Sequence, residues 1–94
     1  MEGSAKLKVP GGKLLSVKVK YSSTIESIQL LGDFFLYPES SLQLIESALI
    51  GIEINSTQSQ ISSKVADVVS QNKIEMIGIS PDSISQAILM AVKK

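Results

Sequence analysis

The sequence predicts an α+β fold, in which a three-stranded antiparallel meander is followed by about three helices packed on one face of the sheet. Two patterns support this prediction. In the first third of the chain apolar residues alternate with polar ones, as in strands with one wet face. In the second half they recur at the spacing of helices. A chain of 94 residues corresponds to one small domain, so we expect a single domain over residues 1–94, with residues 1–5 flexible.

Three strands are predicted before residue 32. The first is short and covers residues 6–9, and the turn residues at 10–12 follow it. The second alternates strictly over residues 15–22, which predicts one buried and one wet face. After a polar turn the third returns over residues 25–31. Short turns between consecutive strands make an antiparallel meander.

Two helices are predicted in the middle of the chain. The first opens at Pro38-Glu39, since proline and an acid both suit the first turn, and Gly51 is placed to cap its C-terminus. The second starts at a capping box formed by Thr57 and Gln60 and ends at Asn72.

A short strand and a last helix complete the predicted fold. Residues 74–79 form an apolar extended piece that can add an edge strand. Ser80-Pro81-Asp82 then matches the N-cap and first two positions of a helix. Its apolar stripe has helical spacing and consists of Ile84, Ala87, Ile88, Ala91 and Val92.

The residue types that are absent argue against autonomous catalysis. The chain has no Cys, no His and no Arg. It therefore has no thiolate nucleophile, no usual zinc or iron–sulfur ligands, and none of the commonest general base. A Ser–Lys pair is formally possible, but no spacing indicates one. We expect no catalytic residue, no metal site and no cofactor bound by this chain alone.

The charge is balanced overall but uneven along the chain. Nine lysines offset nine acids, which argues against a nucleic-acid-binding function. Residues 1–20 hold five lysines and one acid, whereas the remainder holds four lysines and eight acids. Two interpretations are open: an ordinary solvated strand surface, or a basic rim that faces an anionic site on a partner. No apolar run is long enough to cross a membrane and no signal peptide is evident, so we expect a cytoplasmic protein.

Two stretches are unusual for a small domain. In the first, Pro10, Gly11, Gly12 and Lys13 combine a Gly-Gly pair, which lets backbone N–H groups approach a ligand, with an adjacent cation. It is either a site-facing loop or a plain turn between strands.

The second stretch is Gly32-Asp33-Phe34-Phe35-Leu36-Tyr37-Pro38-Glu39. It holds three of the four aromatic residues within four positions. It is either a strand-to-helix corner that fills the core or part of an interface.

Together these stretches resemble the C-terminal accessory domain of lipoate–protein ligases, in the version that is a separate subunit of bipartite enzymes. The resemblance rests on KVPGGKLLSVKV at residues 8–19 and GDFFLYPE at residues 32–39. LIESALIG at residues 44–51 and IEMIGISPDSISQAI at residues 74–88 support it. It extends from about Lys8 to the C-terminus. A start methionine shortly before the first strand and a closing helix favour a separate subunit.

The resemblance implies a heterodimer with a catalytic subunit that binds lipoate, ATP and Mg²⁺ and makes lipoyl-adenylate. That subunit then transfers the lipoyl group to a lysine on lipoyl-domain carrier proteins, while the accessory domain supports mainly adenylation. The implied scaffold is the α+β fold shared with iron–sulfur assembly proteins. We hypothesise that the Gly11-Gly12-Lys13 turn faces the catalytic subunit, where Lys13 adds positive charge. We also hypothesise that one of Phe34 and Phe35 anchors docking while the other fills the core.

Three other functions are alternatives to this one. Lys13 could itself be a lipoyl acceptor, but carrier domains are nearly all β, and here glycine precedes the lysine and three helices are predicted. An independent enzyme or small-molecule binder is disfavoured by the absence of His, Cys and Arg. A protein-interaction module of an unrelated assembly shares the non-catalytic prediction and differs only in its partner.

Overall fold

The computed structural model describes residues 1–9 and 13–92, and these residues form five strands and three helices. The predicted α+β class is confirmed. The turn predicted at residues 10–12 lies outside the described residues. The elements are β1 (Glu2–Val9), β2 (Lys13–Tyr21), β3 (Ile25–Gly32), β4 (Phe35–Tyr37), α1 (Ser41–Leu49), α2 (Gln58–Gln71), β5 (Glu75–Ile77) and α3 (Pro81–Val92).

The predicted meander is confirmed: β1, β2 and β3 form an antiparallel sheet in that order. β1 begins at Glu2 rather than at Lys6, so residues 2–5, which were expected to be flexible, pair with β2. Contact with helix α3 explains why these residues are ordered. A Cβ atom on Gly3 would lie 1.9 Å from the carbonyl oxygen of Ala91 in α3. Helix α3 therefore rests directly on the start of β1, where a larger side chain would push it away.

The core lies between the inner face of this sheet and the helices. Helix α1 packs against β3, α3 packs against β1 and β2, and α2 packs against the other two helices. The alternation predicted for β2 is confirmed, since every second residue is buried. The largest fully buried apolar side chains are Leu15, Val17, Ile25, Leu30, Ile45, Leu49, Ile61, Val65, Ile84 and Ile88.

The predicted helix caps are confirmed for α2 and α3. At α2 the Gln60 N–H donates to Thr57 Oγ1 (3.2 Å) and the Thr57 N–H donates to Gln60 Oε1 (2.9 Å). At α3 the same reciprocal arrangement joins Ser80 and Ser83, over 3.2 Å and 2.8 Å. Each pair satisfies backbone donors that a helix start leaves without partners.

The predicted start of α1 is wrong by three residues, whereas its end is confirmed. The helix begins at Ser41, because residues 38–40 form a turn in which the Ser41 N–H donates to the Pro38 carbonyl at 2.9 Å. Gly51 follows the C-terminal cap with φ 91°, a conformation that favours glycine.

The predicted edge strand exists, but it does not join the meander. β5 pairs with β4, a strand that was not predicted, and the two form a separate antiparallel ribbon. Three-residue strands are too short to show a periodicity, so neither the pairing nor β4 could be read from the sequence.

Changing either of two buried serines to alanine is expected to have a different effect on stability. The hydroxyl of Ser41 is fully buried and has no hydrogen-bond partner among the described residues. Ser85 is equally buried, but its hydroxyl donates to the Asp82 carbonyl at 2.9 Å. Both changes to alanine gain the same helix propensity. We expect Ser41→Ala to raise the free energy of unfolding by about 1 kcal/mol, and Ser85→Ala to be about 1 kcal/mol less stable than Ser41→Ala. Urea unfolding of both variants measures this, and equal stabilities would contradict it.

Candidate partner-binding site

The two unusual stretches of the sequence meet at one corner of the sheet. β2 starts at Lys13 and β3 ends at Gly32, and Leu15 pairs with Gly32 across the two strands. Beyond the last pair, the Asp33 N–H donates to the Leu14 carbonyl at 3.0 Å. Lys13 and Asp33 therefore lie at the same end of adjacent chain segments, and both are exposed.

Gly32 makes this junction possible. Its φ is 153°, and a Cβ at this position would lie 2.0 Å from the Leu14 carbonyl oxygen and 3.2 Å from the Leu15 Cα. Both neighbouring atoms belong to the backbone, so they cannot move aside as a flexible side chain would. Only glycine lets the chain leave β3 this close to β2.

A third segment, which the sequence did not indicate as part of the site, closes the corner at Gly78. This glycine has φ 93°. A Cβ on it would lie 3.1 Å from the Asp33 carbonyl oxygen, 3.4 Å from Phe34 Cα and 3.4 Å from Lys13 Cγ. The aliphatic part of the Lys13 side chain thus lies beside the Gly78 backbone. The only available signal was a single glycine inside a short apolar run, which indicates close backbone approach.

The ribbon of β4 and β5 exposes apolar side chains next to this junction. Phe35 pairs with Ile77 and Tyr37 pairs with Glu75. Phe35 is 62% exposed, Tyr37 53% and Ile77 45%. These three residues are called the ribbon face below. Between them, the paired Leu36 and Met76 are half-buried and pack against the core. Aromatic side chains left this accessible are typical of surfaces that bind another protein.

The adjacent phenylalanines have different environments. Phe34 is half-buried and packs against the core, whereas Phe35 projects from the ribbon. Their adjacency in the sequence could not indicate which one is outside, because that depends on the unpredicted pairing of β4 with β5.

The structure brings five of the predicted site residues together: Lys13, Gly32, Asp33, Phe34 and Phe35. Pro10, Gly11 and Gly12 lie outside the described residues. Three further residues lie at the corner that were not among the predicted site residues: Tyr37, which belongs to the second unusual stretch, and Ile77 and Gly78.

The corner presents an exposed apolar surface through Phe35, Tyr37 and Ile77. An open depression of about 760 Å³ lies at the opposite end of the sheet, and Glu2, Lys18, Lys20, Ser27 and Gln29 line part of it. Among the described residues no group of three or more His, Cys, Asp or Glu side chains could hold a metal ion, and no helix is long and apolar enough to cross a membrane. Apolar side chains beside an exposed cation are suited to contact with a protein partner.

Comparison with solved structures gives an informative likeness. No family model matches the chain, and no curated protein does either. The chain is similar to one in the structure of an archaeal lipoylation system from Thermoplasma acidophilum, described as a bipartite lipoate protein ligase and its E2 lipoyl domain. The two chains are 28% identical, with a TM-score of 0.76, and the match covers 94% of each. This chain resembles a component of a lipoylation system. The likeness supports a lipoylation-related role, as the sequence resemblance predicts.

Two glycines with positive φ, Gly32 and Gly51, are expected to differ in how much a change to alanine lowers the stability of the fold. Gly32→Ala places a Cβ against backbone atoms, whereas a Cβ on Gly51 has no atom within 4 Å. We expect Gly32→Ala to lower the free energy of unfolding by about 3 kcal/mol or more. Gly51→Ala should cost only about 1 kcal/mol, from its backbone conformation alone. Chemical denaturation followed by circular dichroism compares them, and equal losses would show that the contact with Leu14 is unimportant.

Proposed function

We propose that this chain is the non-catalytic accessory subunit of a lipoate–protein ligase. It docks on a separate catalytic subunit and supports ATP-dependent formation of lipoyl-adenylate, and hence lipoylation of lysines on carrier domains. The observation that carries this proposal is the 28% identity and TM-score of 0.76 to a chain of a bipartite ligase system, over 94% of both chains.

The fold favours the ligase over the E2 lipoyl domain as the matching component. A match over 94% of both chains implies that the two have nearly the same length and the same mixture of strands and helices. Lipoyl domains are nearly all β, whereas the described residues here include three helices. The similar length also favours a small accessory part over a large catalytic one. Both arguments favour an accessory role.

The ribbon face is the proposed anchor of the complex. Binding energy at protein interfaces is concentrated in a few aromatic and aliphatic side chains that become desolvated. Phe35 and Tyr37 offer such side chains on a short ribbon whose other face is held by Leu36 and Met76 in the core. This support keeps the exposed rings in place before binding, which reduces the entropy lost on docking.

Lys13 is proposed to act on the adenylation step. That step needs ATP, Mg²⁺ and the lipoate carboxylate held in line, with neutralisation of charge at the phosphorus centre. These ligands bind in the complex and not to this chain alone. The Lys13 stem is held against Gly78, so its ammonium group can reach beyond the corner towards an anionic site. A docked subunit can also order loops and exclude water there.

The direct test is lipoyl-adenylate formation by a candidate catalytic subunit with lipoate, ATP and Mg²⁺, with and without this chain. A rate that requires both chains, together with a complex on size exclusion, supports the proposal. No change in rate and no complex would refute it. The remaining candidate would then be a protein-interaction module of an unrelated assembly.

The two phenylalanines predict separable effects on docking and on stability. We expect Phe35→Ala to weaken the complex by about 2 kcal/mol, roughly 30-fold in Kd, with little change in stability. Phe34→Ala should lower the free energy of unfolding by about 2 kcal/mol, because its ring packs on the core. Leu44→Ala is the control, since Leu44 is 40% exposed on α1. Calorimetric titration and urea unfolding measure the two quantities. If Phe35→Ala binds as tightly as Leu44→Ala, the ribbon face is not the anchor.

A second prediction concerns the charge of Lys13. Lys13→Met keeps the aliphatic stem beside Gly78 and removes the ammonium group. We expect the rate of adenylate formation at saturating subunit concentration to fall about tenfold, which corresponds to about 1.4 kcal/mol of transition-state stabilisation. Lys13→Arg should recover part of the rate, and Lys64→Met on α2 should leave it unchanged. An unaltered rate and Kd for Lys13→Met would remove Lys13 from the mechanism.

A further inference from the structure

The two edges of the three-stranded sheet differ in how their backbone groups are satisfied. At the β3 edge, the Ile25 N–H donates to the Ile52 carbonyl (2.9 Å), and the Ile25 carbonyl accepts from the Gly51 N–H (2.8 Å). Further along, the Leu30 N–H donates to the carboxylate of Glu46 on α1 at 2.8 Å. The chain therefore covers this edge with its own loop and helix, as proteins commonly do.

Among the described residues, nothing pairs with the outer edge of β1. Met1 and Tyr21 exchange both backbone hydrogen bonds, each 2.8 Å long. In an antiparallel pair the bonded and non-bonded positions alternate, so the odd-numbered residues of β1 bond to β2. The even-numbered residues direct their N–H and C=O groups away from the sheet; they are Glu2, Ser4, Lys6 and Lys8. Within residues 1–9 and 13–92, no other backbone or side-chain hydrogen bond reaches residues 2–9.

An open edge of eight residues is a template for another strand. β1 contains no proline, and its pairing with β2 runs without a bulge from Glu2 to Val9. Two devices that commonly protect an edge are thus missing, and only charged side chains remain.

The charge at this edge is positive, which favours an added strand with acidic side chains. Lys6 and Lys8 are exposed, and the residues that pair with them on β2 are the uncharged Ser16 and Leu14. The one acid on the strand, Glu2, lies opposite Lys20 instead. Since residues paired side by side on one face interact most strongly, a strand beside β1 is favoured when it places carboxylates next to Lys6 and Lys8.

We propose that an extended acidic segment of the catalytic subunit adds to the sheet beside β1 as a fourth strand. This inference rests on the proposed function, because that function supplies the partner. Continuity favours this partner: β1 ends at Val9, which pairs with Lys13, so a strand added along β1 leads directly to the Lys13 corner. Ion pairs with Lys6 and Lys8 set the register of the added strand. The N–H and C=O groups of the even-numbered residues of β1 form hydrogen bonds with it.

Hydrogen exchange of the unmodified chain tests the backbone contacts. The amides of Ser4 and Lys6 should exchange quickly in the free chain and at least tenfold more slowly in the complex with the catalytic subunit. The amides of Ala5 and Leu7, which bond to β2, should be protected in both states. A complex in which Ser4 and Lys6 exchange as fast as in the free chain would overturn the added strand while leaving the proposed function intact.

Variants separate the backbone contribution from the charge. Ser4→Pro removes one outward N–H without altering charge, which an edge strand tolerates, and should raise Kd about tenfold. The double variant Lys6→Gln/Lys8→Gln should raise Kd by a similar factor and reduce its dependence on salt. Lys64→Gln, at an exposed lysine on α2, is the charge control and should change Kd less than threefold.

Wild-type affinity in both Ser4→Pro and the double variant would overturn the inference. If no complex forms even with the unmodified chain, the proposed function fails first, and the added strand fails with it.

Discussion

The hydrogen bond from the Asp33 N–H to the Leu14 carbonyl, 3.0 Å long, decides where the chain goes after the meander. It forms because Gly32 has no Cβ, so the backbone can leave β3 while still in contact with β2. From this point the chain runs into β4 at a place where β5, approaching from α2, can pair with it. Gly78 then lies against Asp33 and Lys13 for the same steric reason. The position of the ribbon, and with it the position of Phe35, therefore depends on glycine at residues 32 and 78. Substitution at either glycine is expected to act on the ribbon as well as on stability, because no other described element ties β4 to the sheet in the same way.

Exposure of the ribbon face has an energetic consequence for so small a protein. A domain of this length buries only roughly 60–65% of the surface its unfolded chain exposes, and each large apolar side chain withheld from the core forgoes about 1.5–3 kcal/mol. Phe35, Tyr37 and Ile77 are all withheld. In the proposed complex these three side chains would be buried against the partner, which would recover part of this free energy. Docking would then add to the stability of the fold by mass action, so the same three side chains would serve both association and stability.

The sequence predicted the elements whose signals are local and repeated. Strict alternation identified β2, and paired side chains at fixed spacing identified the starts of α2 and α3. It did not predict the contacts that depend on distant segments. The Gly3-Ser4-Ala5 run has weak strand propensity and becomes a strand only because α3 covers it. Pro38 and Glu39 satisfy the rules for a helix start, but a turn closes on Pro38 first. At the site, the motif residues Lys13, Gly32 and Phe35 were identified, whereas Gly78, Ile77 and Tyr37 were not, because their role follows from the pairing of two three-residue strands.

The fold places the lysines of the first twenty residues mainly on one face of the sheet and the acids of the remainder elsewhere. Lys6, Lys8, Lys18 and Lys20 occupy outward positions of β1 and β2, so they share the face of the sheet that no helix covers. The acids beyond residue 20 lie on β3, the helices, the ribbon and the loops. Because the net charge is zero, the protein has little overall attraction to a charged partner, but a separation of charge across the molecule still favours one orientation on approach. Electrostatic complementarity affects association rate and orientation more than affinity. In the proposed complex, the lysine face and the ribbon face thus suit different stages of the same encounter: the lysines would orient the partner, and the apolar side chains of the ribbon would hold it.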